Sequence, residues 1–176
     1  MEKRKYVRKL VKETVGKSKI YPHSLEAEES IIAALIKDNN LYDKIKKYCG
    51  NSNVFYFQRH KIAFQIIKKL IEEHVTADVV TVLDKVQNKD QNIITGYWLT
   101  GITSDLHTSA NIESHAKIVY QKYRIRQIIR KASSVQKNAS KDASSYKNIL
   151  EEVRSLSDEF LDGESFHEFD IAECAK

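Results

Sequence analysis

From Leu25 onward, apolar residues recur at three- and four-residue intervals, the spacing of one helix face and not the alternation of a half-buried strand. Pro22 pushes Tyr21 into extended backbone, and Ser24 is a good N-cap, with Glu26, Glu28 and Glu29 where negative charge complements the helix dipole. A first helix is predicted from Leu25 to about Lys37 on Ala27, Ile31, Ala34 and Leu35, stopped by Asp38-Asn39-Asn40. A short helix over 41–48 ends at Gly50. Val54-Phe55-Tyr56-Phe57 has strand composition, but it is isolated and leads into Ala63, Ile66, Ile67, Leu70 and Ile71, which predict a helix over 59–74. Asp78 reads as the N-cap of a helix with Val79, Val82, Leu83 and Val86 on one face; its β-branched content argues for strand, its period for helix, and the period is preferred. Asn88 to Asn92 is a polar loop, and Tyr97, Trp98, Leu99 and Ile102 form a short helix bounded by Gly96 and Gly101.

The longest pattern comes next. No Gly or Pro interrupts Ser109 to Asn138, and Ile112, Ala116, Val119 and Tyr123 continue into Ile125, Ile128, Ile129, Ala132 and Val135. A helix of that length spans about 45 Å, more than a head of this size needs for its own core. After a polar turn, Ile149, Leu150, Val153, Leu156 and Phe160 mark a second long helix up to Gly163. The short connection makes the two antiparallel. Two helices alone cannot bury both apolar stripes, so these residues are the candidate self-association surface.

The expected fold class is all-α, a small helical head followed by a long antiparallel helical hairpin. The expected division is a basic leader over 1–20, the head over 21–106, the hairpin over 107–163 and an acidic segment over 164–176. Composition agrees: five Gly and one Pro in 176 residues are too few turn residues for a many-stranded sandwich or barrel. No apolar run approaches the roughly 20 residues of a membrane span, and no apolar stretch follows the N-terminal lysines, so a soluble, cytoplasmic protein is expected.

Charge is unevenly placed. Residues 1–20 hold eight basic side chains against two acids, a surplus larger than the whole chain's net +5, whereas 151–176 hold nine acids against Arg154 and Lys176. Lys3, Arg4, Lys5, Arg8, Lys9 and Lys12 are the candidate nucleic-acid contacts; a solvated leader is the preferred reading, ahead of phosphate contact and of a membrane-surface helix. Lys117, Lys122, Arg124, Arg126, Arg130 and Lys131 form a second basic run interleaved with Tyr120 and Tyr123. It is read first as a solvated face or a pairing with the acidic second hairpin helix, and only then as a nucleic-acid track or a protein-binding face.

Catalytic patterns fail one by one. The six histidines (23, 60, 74, 107, 115 and 167) form no HExxH set, and His60, beside aromatics at a helix start, is expected to be simply hydrogen-bonded. Gly96 to Gly101 has the glycine spacing of a phosphate loop, but Ile102 and Thr103 replace the Lys and Ser/Thr that such a loop needs. No GxSxG elbow or Cys-His signature is present, and Cys49 and Cys174 read as bystanders. No catalytic residue, metal ligand or cofactor site is assigned.

Several local patterns, in order, resemble the N-terminal domain of DnaB-type replicative DNA helicases. Pro22-His23-Ser24-Leu25-Glu26-Ala27-Glu28 resembles that family's leading motif, and Phe55-Tyr56 with His60 and Phe64 its aromatic block. Asp78-Val79-Val80-Thr81 with Leu83 is similar to its next helix start, and Ser109-Ala110-Asn111-Ile112 with Ala116, Ile118 and Val119 to the start of its long hairpin helix. The likeness runs from about Pro22 to Gly163. It departs where Phe57-Gln58-Arg59 replaces a proline, where Gly96 stands for a glycine pair, and at His107.

The resemblance implies a non-catalytic collar domain. Its hairpins pair into dimers, three dimers make a collar on a hexamer, and the domain helps dock the primase C-terminal domain and a helicase loader while DNA threads the ring. It implies no cofactor for this chain; ATP and Mg belong to the RecA-like motor of a full-length helicase. Two other readings stay open here: a stand-alone regulator from a mobile element that mimics the collar and binds a host helicase or primase, and a DNA-binding module using the basic leader.

Overall fold

The computed structural model describes residues 20–105, 109–141 and 146–161. Among them are seven α-helices and no strand: α1 (Leu25–Lys37), α2 (Tyr42–Cys49), α3 (Gln58–Glu72), α4 (Val79–Asp84), α5 (Gly96–Asp105), α6 (Ile112–Lys141) and α7 (Tyr146–Leu161). Short 3-10 turns occupy Asn39–Leu41, Ser52–Val54 and Asn88–Asp90. The chain divides into two compact units, one through Ile125 and one from Arg126.

In the first unit α1 is the central helix. Ser24, in extended backbone, accepts the Ala27 amide on its hydroxyl, as a good N-cap should. The predicted apolar face is buried, and so are Ile32, Ala33 and Ile36, because α3 and α5 both pack on α1. Asp38 ends α1 and caps the following turn by accepting from the Asn40 amide at 3.0 Å. Asn39 does more than stop the helix. Its amide nitrogen donates to the Leu35 carbonyl at 2.6 Å and to the Ala77 carbonyl at 2.9 Å, and its oxygen accepts the Ala77 N–H at 2.9 Å. One side chain thereby ties the end of α1 to the segment entering α4.

The aromatic stretch at 54–57 is not a strand. A 3-10 turn leads into extended Phe55, whose buried ring lies 4.8 Å from that of Phe64 on α3. At the end of α2, a Cβ on Gly50 would stand 2.7 Å from the Lys46 carbonyl oxygen, so the close approach requires glycine. α3 ends with His74 at φ 57 and a hydrogen bond from Val75 N–H back to the Leu70 carbonyl, a Schellman closure in which a histidine takes the usual glycine position. Gly101 was expected to bound α5 and instead lies inside it, where a Cβ would meet nothing within 4 Å. Cys49 is buried, and burial pushes its thiol up to about 12; Cys174 lies outside the described residues.

Asp78 caps α4 as expected, in a full capping box: its carboxylate accepts the Thr81 N–H at 2.8 Å while the Thr81 hydroxyl oxygen accepts the Asp78 N–H at 2.8 Å. The Thr81 N–H holds the Asp78 carboxyl below its ordinary value. A lowered folded-state pKa contributes stability above the unfolded value and loses it as pH falls through the folded one. Asp78→Ala is therefore expected to cost about 1 kcal/mol at neutral pH. The gap from the unmodified chain should close as thermal melts are taken below the ordinary carboxylate range; a gap constant across that range would refute the capping account.

The head extends further than the sequence division at 106. Ile112, Ala116 and Val119 of α6 are buried in the core of the first unit, and Cys49 Sγ lies 4.0 Å from the Ala116 carbonyl. The first turns of the long helix thus complete the head, and the boundary falls near Ile125.

Candidate functional site

The second unit contains the rest of α6 and α7. Near their junction, the Asn138 amide donates to both carboxylate oxygens of Glu152, at 3.0 and 3.2 Å, linking the two helices. Few groups here are chemically reactive; the feature that stands out is apolar surface.

The structure divides the predicted self-association stripe into two parts. Ile112, Ala116 and Val119 fill the core of the head and are withdrawn from that surface, because the head needs them to close. Tyr123 is half-buried and packs on the same core. Farther along α6, Ile125 is 42% and Ile128 40% exposed, Ala132 is exposed, and Ile129 and Val135 are half-buried. On α7, Leu150 is 49% and Val153 48% exposed, while Ile149 and Leu156 are half-buried. At 3.6 residues per turn these four α7 residues cover an arc of about 120°. Ile149 and Leu156 mark its more covered edge, and Leu150 with Val153 lies toward solvent. Leu150 and Val153 therefore keep about half of their apolar surface in solvent within this unit. The Phe160 side chain and the leader residues Lys3, Arg4, Lys5, Arg8, Lys9 and Lys12 lie outside the described residues.

One member of the second basic run also moves. Arg126, counted with the solvated cations, is only 2% exposed. Lys122, Arg124 and Lys131 are half-buried and Arg130 is exposed.

In the head, the polar group that sequence reasoning missed is Glu28. It looked like one of three first-turn acids, yet it is 1% exposed. Its carboxylate accepts the Tyr56 N–H at 2.8 Å and the Phe57 N–H at 3.3 Å, and His60 Nδ1 stands 2.8 Å from the same Oε2. The signal was present: Glu28 falls three and seven positions before Ile31 and Leu35, on the buried face. His60 is hydrogen-bonded, as expected, and its ring stacks on Trp98 at 5.6 Å and 14°. The Arg59 guanidinium covers Trp98 at 5.1 Å and donates from Nε to the Ile93 carbonyl at 2.7 Å. With its contacts taken by two amides and an imidazole, this carboxylate is a structural clamp for the 55–60 segment. Among the described residues no group of three or more His, Cys, Asp or Glu could hold a metal ion, and no helix is long and apolar enough to cross a membrane.

Comparison with known proteins supports the head most directly. The replicative DNA helicase DnaB of Buchnera aphidicola subsp. Baizongia pistaciae is 29% identical over 116 residues, 65% of this chain and 25% of that relative, so the chain spans about a quarter of the relative's length. The fold is shared with the crystal structure of the N-terminal domain of DnaB helicase from Mycobacterium tuberculosis, at a TM-score of 0.71 and 19% identity, over 78% of this chain and 98% of that one. It is also shared with a DnaB-like replicative helicase described together with its interactions with primase, at a TM-score of 0.63 and 14% identity, over 76% of this chain and 31% of that one. Residues 20–121, nearly the whole of the described head, match the family described as DnaB-like helicase N terminal domain, and the chain belongs to that family.

Proposed function

We propose that this chain is the collar domain of a replicative DNA helicase, a non-catalytic module that assembles the helicase through its hairpin and offers a docking platform to primase. The observation that carries the assembly half is the arc on the second unit, where Ile128, Leu150 and Val153 keep 40% or more of their surface in solvent although they sit at helix-face spacing. Exposed apolar side chains on a helical pair are best covered by the same pair from a second copy, since an isologous contact buries both with one surface. Dimers through the hairpin, three to a hexamer, are the assembly proposed. The primase half is supported by the shared fold with a helicase described with its interactions with primase. A helicase loader and the DNA passing through the ring are the remaining partners of the proposal. ATP and Mg act in the motor of a full-length helicase, and this module needs no cofactor of its own. The setting is the cytoplasm.

Light scattering coupled to gel filtration tests the assembly. The unmodified chain is expected to self-associate with rising concentration, and Ile128→Asp combined with Val153→Asp to give a monomer whose Trp98 fluorescence and helical circular dichroism are retained, because both residues lie outside the head core. An unmodified chain that stays monomeric at high concentration would overturn the assembly reading.

A further inference from the structure

The head carries a second surface of different chemistry, which the collar reading does not use. It is built where α2 lies beside the first turns of α6. Glu113 Oε1 is 3.0 Å from Lys47 Nζ and 3.8 Å from Lys117 Nζ. Lys44 also acts on that carboxylate, and the hydrogen bond from Lys47 is the largest of the influences that hold Glu113 below its ordinary value. One acid is thus surrounded by three lysines. Lys46 is paired with Asp43 at 3.0 Å, and Lys122 and Arg124 follow on α6. Around Glu113 and Asp43, Lys44, Lys46, Lys47, Lys117 and Lys122 leave a local excess of positive charge.

Aromatic rings run through this excess. Lys47 Nζ lies 4.9 Å and Lys117 Nζ 5.9 Å from the centroid of Tyr48. The Tyr48 ring is 6.1 Å from Tyr120, and Tyr120 is 6.5 Å from Tyr123, giving a row of three half-buried rings. Lys117, Tyr120 and Arg124 recur at three- and four-residue steps, so cation and ring share one face of α6.

We propose that this face binds single-stranded nucleic acid, with the lysines meeting phosphates and the tyrosine row meeting bases. A single strand uses both parts of the surface: its backbone is drawn by the positive charge, and every base has a π-face to set against a ring regardless of sequence. An acidic protein segment would use the cations alone and make no use of the solvent-facing part of the tyrosine row, whose other side packs against the head core. Paired bases in a duplex present no free face to the rings.

The test is fluorescence anisotropy of a labelled oligothymidylate with the full chain, titrated in salt. The leader adds its own charge to the total, so the readout is the difference between variants. Lys47→Ala with Lys117→Ala is expected to reduce the slope of log affinity against log salt by roughly 0.7 per lysine removed. Lys69→Ala with Lys85→Ala, which removes the same charge elsewhere on the head, should leave the slope unchanged. Tyr48→Leu with Tyr120→Leu keeps apolar packing and should weaken binding about fivefold or more at fixed salt, with the slope unchanged. Circular dichroism melts verify that each variant is folded. The proposal is overturned if both lysine pairs change the slope equally, if the unmodified chain shows no binding at low salt, or if poly-L-glutamate displaces the oligonucleotide as well as unlabelled oligothymidylate does. It stands or falls separately from self-association through the hairpin, which these variants do not touch.

Discussion

Glu28→Ala is expected to destabilise the head by about 3–5 kcal/mol, because it takes the acceptor away from several buried donors at once. The carboxylate accepts the Tyr56 and Phe57 N–H groups as well as facing His60 Nδ1, so deletion orphans two backbone donors and an imidazole at once. Each buried donor left without an acceptor costs roughly 1–3 kcal/mol. His60→Phe should cost less, because the carboxylate keeps both backbone amides and the new ring can still lie against Trp98. The pair Glu28→Leu with His60→Phe should not recover stability, since the Tyr56 and Phe57 amides remain unsatisfied. Urea unfolding followed by the single tryptophan, Trp98, whose indole stacks on His60, reports this unit directly. A loss below about 1 kcal/mol for Glu28→Ala would refute the clamp.

That clamp also shows how much of the molecule was legible in its sequence. Helical period and capping chemistry are local, and they placed Leu25–Lys37 with its Ser24 cap and the Asp78 start of α4. What buries Glu28 is not local: its partners lie 28 to 32 positions downstream, and no spacing rule reaches them. Asn39 has the same history. It reads as a helix stop, and its bonds to Ala77 across 38 positions make it a tertiary tie.

The candidate surface was half legible. Periodicity finds the apolar stripe on α6 but cannot say where along the helix its cover changes. Ile112 and Ile128 are indistinguishable by spacing, yet one is 3% and the other 40% exposed. Only the packing of α2 against the start of α6 separates them. Arg126 failed for a related reason: it was grouped by charge with its neighbours, while burial follows position on the helix. The tyrosine row was visible as Tyr120 and Tyr123. Its third ring, Tyr48, comes from another helix 72 positions away and is brought alongside by the fold.

Phe64→Ala is the second large effect expected, again about 3–5 kcal/mol, the range for truncating a buried phenylalanine. Phe64 is fully buried on α3, with its ring 4.8 Å from Phe55 and 6.3 Å from Tyr42. It therefore joins three pieces: the start of α2, the extended segment after the 3-10 turn, and α3. Removing the ring withdraws apolar contact from all three, and the surrounding side chains can relax into the space only in part. Phe64→Leu retains most of the volume and should lose far less, which distinguishes a packing role from a specific aromatic one. Val80→Ala is the matched control, because Val80 is 74% exposed and surface truncations of this kind change stability by about 0.5 kcal/mol or less. In thermal melts followed at Trp98, the alanine variant should unfold roughly 10 °C or more below the unmodified chain. Equal melting of Phe64→Ala and Val80→Ala would mean that this ring does not hold the head together, and the joint between α2, α3 and the 55–57 segment would have to be sought elsewhere.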